Sequence, residues 1–287
     1  VIPAVLTIDE STTIHASPPG ALRVLQKDDY WKKWWPAYPN KELTYGQTVF
    51  KVREKLHNQF KLDIIHRSDS ITSVLNIIPI NYDTVQLEWI AVLKTSTNPF
   101  IRIRQYFSHN ERKKEIRSIL DAMKSYMSHQ KNIYGIDFHR DVVKDTLMVS
   151  IKKEFNHHPT VKEVDSLIQV LRRYVQSQNA KPVDSPMLHI DQLGNDRFTA
   201  QVAIPTDKPL NNSGPIEFRR MVPGFMIVAD VQGGNTAVQT AISEIENMMR
   251  DFMRTSPAIP FELMLTNRAA EPDTNKWKTR IHYPIVL

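Results

Sequence analysis

The sequence predicts an α+β chain of two domains, residues 1–131 and 132–287, each built on an antiparallel sheet. Three observations carry that prediction. From Thr48 to Tyr106, runs of β-branched and aromatic residues alternate between turn signals, the period-two signature of half-buried strands. After Ser108 the period changes to that of a helix, with Ile116, Ile119, Leu120, Met123 and Met127 on one stripe. Beyond Asn132 a strand–helix–hairpin pattern occurs twice, offset by the 74 positions that separate Pro186 from Pro260.

Composition narrows the function classes. The 287 residues are 41% hydrophobic with only 8 Gly, which suits packed cores rather than a disordered chain. There are no cysteines, so disulfides, thiolate metal sites and cysteine nucleophiles are excluded, while the compartment stays open. The net charge is +6, but acids and bases are interleaved, as in Glu111-Arg112-Lys113-Lys114-Glu115. No helix-turn-helix, zinc-finger or RNA-binding signature accompanies them, so the charge reads as solvated surface and no nucleic-acid partner is expected. No apolar run approaches the length of a membrane span. The chain opens on Val1, from which the removal of an upstream tag, signal peptide or membrane anchor is expected.

In chain order, Leu6 to His15 reads as a first strand. Ser17 can cap a helix whose first turn carries Pro18 and Pro19. That helix is expected to run into Tyr30-Trp31-Lys32-Lys33-Trp34-Trp35-Pro36, an aromatic wedge that packs a helix end against a sheet. Strands are then expected at Val49–Arg53, Leu62–His66, Ser73–Ile80, Val85–Lys94 and Phe100–Phe107. Ser108-His109-Asn110-Glu111 fits a capping box, opening a long amphipathic helix through Gln130. Such a helix has one place to bury its stripe, across the concave face of the sheet.

This order resembles the SRPBCC superfamily, the helix-grip fold of the birch-pollen allergen, START domains and polyketide cyclases. The resemblance covers roughly residues 5–130, and Trp31-Lys32-Lys33-Trp34-Trp35-Pro36 is similar to the W-x-x-W-x-P turn after the first helix of many such proteins. It implies a cavity under the long helix suited to an apolar ligand.

Asn132-Ile133-Tyr134-Gly135 reads as a short junction. A strand at Thr146–Phe155 then precedes a helix capped by Thr160-Val161-Lys162-Glu163, with a stripe at Val164, Leu167, Ile168, Leu171, Tyr174 and Val175. The stripe recurs as Val238, Ala241, Ile242, Ile245, Met248 and Met249. Pro186 to Ile190 and Phe198 to Pro205 form the first hairpin, Phe261 to Leu265 and Trp277 to Ile285 the second. One such unit cannot bury both its helix stripe and its sheet face, so two copies are expected side by side with a cleft lined by both hairpins.

Glu262 stands out. It sits in the run Ile259-Pro260-Phe261-Glu262-Leu263-Met264-Leu265, where a carboxylate is costly unless something polar or positive meets it. Strand alternation could instead turn it to water, or an arginine such as Arg280 could pair with it. The Pro-x-Glu-Leu strand and the closing Tyr283-Pro284-Ile285 strand resemble the GyrI-like domain, the effector-binding module of AraC-type and multidrug-sensing regulators. The match spans about residues 133–287. It implies that Glu262 stands at the floor of an aromatic-walled pocket for cationic, apolar ligands. Trp277 and Tyr283 on the last strand are the implied walls, and Phe225 enters from the strand before the second helix.

The remaining chemistry is sparse. His157 and His158 are adjacent, and on a strand they would face opposite sides and could not chelate one ion. No HExxH or GxSxG motif appears, and no metal, cofactor or catalytic residue is assigned. Gly233-Gly234 reads as a tight turn rather than an anion site. The expected function is the sensing or sequestering of small hydrophobic or cationic molecules. The rival is a small-molecule hydrolase or cyclase using the same carboxylate, as some relatives of the resembled domain are reported to be. A third alternative is a protein-interaction scaffold without any ligand. The ligand's identity and any protein partner lie beyond the sequence.

Overall fold

The computed structural model describes residues 2–36, 43–67, 69–143 and 146–286; Val1, from which the upstream segment is expected, lies outside them. The fold is α+β, with two antiparallel sheets and six α-helices among the described residues. The chain divides into two compact units. The first is Val1–Gly135 with Asp251–Met253, the second Ile136–Arg250 with Arg254–Leu287.

In the first unit, β1 (Val5–Ile14) precedes α1 (Pro18–Gln26) and α2 (Asp28–Trp34). Five strands follow: β2 (Leu43–Tyr45), β3 (Thr48–Lys55), β4 (Gln59–His66), β5 (Asp69–Pro79) and β6 (Val85–Lys94). The sheet order is β1-β6-β5-β4-β3-β2. The long helix α3 (Pro99–Met127) and the short α4 (Gln130–Tyr134) complete the unit. Leu6, Ile8 and Ile14 of β1 are buried by alternation, and so is Glu10. The carboxylate of Glu10 is met from α3 by Lys113 at 3.3 Å and Arg117 at 3.1 Å, which seats the helix against that strand.

Ser17 caps α1 as read, its Oγ accepting from the Gly20 N–H at 3.1 Å. The aromatic wedge forms, but as two helices rather than one, with an extended break at Lys27. The Trp31 indole N–H donates to the Leu25 carbonyl at 2.7 Å, filling an acceptor that the end of α1 leaves open. Trp35 packs on Phe50 with ring centres 5.2 Å apart, and Phe50 on Trp89 at 5.7 Å.

Phe100–Phe107, expected as a strand, is instead the start of α3. Pro99 occupies its first turn, and the Asn98 side chain accepts from the N–H groups of Phe100 and Ile101. The alternation there serves no sheet face: Phe100 is 82% exposed and Phe107 63%. Ser108, expected to cap the helix, is buried inside it. The stripe Ile116, Ile119, Leu120, Met123 and Met127 is buried throughout. The helix ends at Met127, three residues short of Gln130, and the expected junction is helical to Tyr134, with Ile133 and Tyr134 buried and Gly135 closing it at φ 77°.

The second unit contains β7 (His139–Val142), β8 (Leu147–Phe155), α5 (Val161–Ser177), β9 (Met187–Gln192) and β10 (Phe198–Pro205). It continues with β11 (Ile216–Arg220), β12 (Phe225–Gln232), α6 (Asn235–Asp251), β13 (Phe261–Met264) and β14 (Lys278–Ile285). The last residue of α6, Asp251, falls within the first unit. The sheet order is β11-β8-β10-β9-β13-β14-β12-β7.

That order is the duplication in space. The first repeat is β8–α5–β9–β10 and the second β12–α6–β13–β14, and each opening strand lies beside its hairpin's second strand. The repeats join where β9 meets β13, with Glu262 opposite Leu188 and Leu263 opposite Met187. The edge strands β7 and β11 are additions that periodicity does not anticipate. Thr160 and Glu163 form the expected reciprocal cap on α5. The α5 stripe packs with Val149, Ala200, Val202 and Ile204 of the sheet into a continuous core. Gly233 takes φ 135°, its N–H donates to the Trp277 carbonyl at 2.9 Å, and a Cβ there would lie 2.9 Å from that of Ala237. The glycine pair therefore makes a tight turn, as read.

Candidate functional site

A cavity of about 470 Å³ in the second unit is lined by residues of α5, α6, β9 and β13. Its lining follows the duplication. Val161 and Asn235, Asp165 and Gln239, Leu188 and Glu262, and Ile190 and Met264 all contribute, each pair sharing the repeat offset. The cavity thus straddles the local twofold axis, while its chemistry breaks the symmetry. The two central strands present Leu188 and Ile190 from one repeat, and Glu262 and Met264 from the other.

Glu262 is buried, with 7% of its surface exposed. Its Oε2 accepts from Arg268 Nη2 at 2.7 Å, and the same nitrogen donates to Thr279 Oγ1 at 2.8 Å. The Arg268 guanidinium carbon lies 5.2 Å from the centre of the Trp277 ring. Trp277 is itself buried and anchored, its indole N–H donating to the Glu271 carbonyl at 2.8 Å. The Arg268 Nε is buried without a hydrogen-bond partner. A carboxylate, a guanidinium and an indole are therefore stacked in series at the cavity's edge.

The loop between β13 and β14 sets this arrangement. The Asn267 carbonyl accepts from the N–H groups of Ala270 and Glu271, and Asn267 Oδ1 from that of Ala269. Asp273 caps a short 3₁₀ turn at Thr274–Lys276 that delivers Trp277 into β14. Arg268 is thereby folded back over the strand it follows.

Arg280, considered from sequence as a partner for Glu262, is engaged elsewhere. It makes two hydrogen bonds to Asp230 of β12, at 2.7 and 3.0 Å. Strand phase explains the choice: Ile281 stands opposite Glu262, so Arg280, one residue away, projects from the other face.

Of the four residues singled out from sequence, Glu262 lines the cavity and Trp277 reaches it through Arg268. Tyr283 pairs with Ile227 across β12 and is half-buried; burial raises its hydroxyl pKa above the usual tyrosine value, and the charge of Glu246 adds to this. Phe225 is 43% exposed and lines a different cavity of about 500 Å³, with Met148, Met187, Met226 and Phe261. The structure brings Glu262 and Trp277 together and leaves Tyr283 and Phe225 outside that cluster. Arg268, missed in the sequence, completes it.

The first unit also buries polar groups. Arg112 of α3 has no exposed surface; its Nη2 donates to the Asp69 carbonyl at 3.3 Å, while Nε and Nη1 have no partner. Nearby, Thr48 Oγ1 lies 2.7 Å from His66 Nδ1 and donates to Glu115 Oε2 at 2.5 Å. Burial lowers the pKa of His66 below the usual imidazole value, with Arg112 adding to it, and lowers that of His109 with help from Lys113. Burial moves the Glu115 carboxyl the other way, upward.

No family model matches the chain. No curated protein matches it either. Among solved structures it is similar to an EcmrR–DNA complex within EcmrR-RPo, at 14% identity over 66% of this chain and 72% of that one, with a TM-score of 0.48. It is similar to the EcmrR C-terminal domain at 13% identity, covering 53% and 98% of the two chains, with a TM-score of 0.44. A hydrolase from Listeria innocua is similar at 12% identity over 52% and 92%, with a TM-score of 0.39. Likenesses this distant carry no functional argument.

Proposed function

We propose that the second unit is a small-molecule binding module of the GyrI-like, effector-binding kind, taking hydrophobic or cationic ligands with Glu262 as polar anchor. The observation that carries this reading is a buried carboxylate lining a cavity of about 470 Å³ to which both repeats contribute. A space of that size suits a drug-sized molecule, and a few placed polar groups among apolar walls suit selective binding. Leu188, Ile190 and Met264 supply apolar walls, and among the charged residues of the lining, which include Asp165, Arg172, Asp184 and Arg268, Glu262 is the buried carboxylate. The first unit is read as an SRPBCC-type helix-grip domain joined to it.

The enzyme reading is weaker on geometry. Acid–base work at Glu262 needs its carboxylate free to reach the proton it takes from substrate or water. Among the described residues its side-chain partner is Arg268, a permanent cation, and neither a histidine nor a tyrosine is hydrogen-bonded to it. The test is a fluorescence titration with two dansyl sulfonamides of one shape. One carries an N-(trimethylammonio)ethyl group, the other the neutral 3,3-dimethylbutyl group. Glu262→Gln is expected to weaken the cation at least tenfold and leave the neutral isostere within twofold. Equal affinity of wild type and variant for the cation refutes the anchoring role. Turnover of a reactive ester that disappears in Glu262→Gln would favour the hydrolase instead.

A further inference from the structure

We propose that Arg268 is a resident counter-cation, seated between Glu262 and Trp277 where a ligand's charged centre would sit, so that organic cations enter only by displacing it. The inference rests on the reading of the cavity as a ligand site and concerns which ligands it admits, and when.

The seat has the parts that recognise an organic cation. A buried carboxylate lies 2.7 Å from the guanidinium, and a buried indole face lies 5.2 Å from its carbon. Carboxylate pairing and cation–π attraction act together there in a site withdrawn from water. The occupant is supplied by the chain itself, six residues after Glu262, and it too is buried, its side chain 8% exposed.

The occupant is incompletely held. Arg268 makes its two side-chain hydrogen bonds through one nitrogen, Nη2, to Glu262 and Thr279, while Nε is buried with no partner. A guanidinium offers five N–H donors, and a site built around it would satisfy more of them. The loop does not depend on this side chain. Its turn is closed by Asn267, its ends by the bonds of Leu265 and Thr266 to the Lys278 carbonyl, and its far side by Trp277 on Glu271. The guanidinium can therefore swing away with those bonds intact.

Two consequences follow. A cationic ligand must exceed what Arg268 already gains, so the site rejects weak cations and admits those that add apolar contact with Leu188, Ile190 and Met264. A neutral ligand leaves Arg268 in place and sees a floor whose charge is compensated.

The experiment is titration of the full chain with the same two dansyl isosteres. Arg268→Met, which keeps length and apolar stem but removes the competitor, is expected to bind the cation at least tenfold more tightly than wild type. The neutral isostere is expected to change by less than twofold, and the gain is expected to vanish in Glu262→Gln/Arg268→Met. If Arg268→Met binds the cation no more tightly while both proteins bind the neutral isostere, the counter-cation proposal is overturned and the binding site stands. If wild type and both variants bind neither isostere, the ligand-site reading falls and the proposal with it. A measurement on wild type covers the case in which Arg268→Met does not fold. The buried Arg268 Nε–H, assigned by its loss in Arg268→Lys, is expected to be slow to exchange and to become fast once the cation saturates the site. An Nε–H that stays protected and unshifted at saturation overturns the proposal.

Discussion

Glu262 stands directly across from Leu188 in the β9–β13 ladder, and Leu188 holds the equivalent place in the first repeat. The duplication therefore meets itself at one apolar and one acidic residue. Cross-strand partners share a face, so the carboxylate projects into the same interior as its leucine counterpart. Burial of that charge is tolerable because Arg268 meets it, and the carboxylate, fixed on its strand, is costly without that partner.

This pairing predicts strong coupling between the two side chains. Glu262→Leu restores the apolar symmetry of the two strands and frees a guanidinium that can swing out to water, so it is expected to cost less than the loss of Arg268. Arg268→Met alone leaves the strand carboxylate buried without its partner and is expected to cost about 3–5 kcal/mol. The double substitution is expected to be near wild type or more stable. Native-state hydrogen exchange at the Met264 amide, which bonds the Pro186 carbonyl beside the site, reads the stability of that region. Additive losses in the double variant would show that the two side chains do not compensate each other.

The sequence reveals the second unit better than its site. Two apolar stripes and two hairpins at one offset are periodic signals, and the sheet order follows from packing two such units edge to edge. Glu262 is legible because it interrupts an apolar run. Arg268 is not: it sits in an irregular loop, and only the turn closed by Asn267 decides that it folds back onto the strand before it. The choice of Arg280 fails on strand phase, which a one-residue shift reverses. Phe100–Phe107 misleads for a related reason: its alternation is real, but Asn98 and Pro99 start a helix there and its aromatic residues remain at the surface. The chemistry of a cap outweighs a period-two pattern when no sheet edge awaits the segment.

Arg112 gives a prediction for the first unit. It is fully buried with two unpartnered nitrogens, and desolvation lowers its pKa below the usual arginine value. A buried polar group left unsatisfied costs about 1–3 kcal/mol. Arg112→Met keeps the apolar stem and removes that cost, so it is expected to stabilise the unit by about 1–3 kcal/mol. Urea unfolding followed by tryptophan fluorescence checks this, because Trp31, Trp34, Trp35 and Trp89 all lie in the first unit. A loss of stability would mean that Asp69 and Glu115, whose charges favour its protonated form, compensate it fully.

The buried histidines of the same unit predict how its stability depends on pH. Folding lowers the pKa of His66 and His109 below the ordinary value of 6.5, chiefly by burial. Below about pH 6.5 the unfolded chain takes up protons at these sites that the folded unit does not, which favours unfolding. Their contribution to stability is therefore fully present above pH 6.5 and is lost as the pH falls through their lowered folded values. Glu115 acts in the opposite sense, because its raised carboxyl pKa lets the folded state bind a proton first. The urea midpoint read by tryptophan fluorescence is expected to hold steady from pH 8 to 7 and to drop between pH 6.5 and 5. His109→Gln keeps a polar side chain that does not titrate, and is expected to flatten that drop. His66 is the harder substitution, since its Nδ1 lies 2.7 Å from Thr48 Oγ1, the hydroxyl that also holds Glu115. A midpoint that rises between pH 6.5 and 5 would require that one of the two imidazoles is stabilised in its charged form, with Glu111, 3.2 Å from His66 Nε2, as the group to replace next.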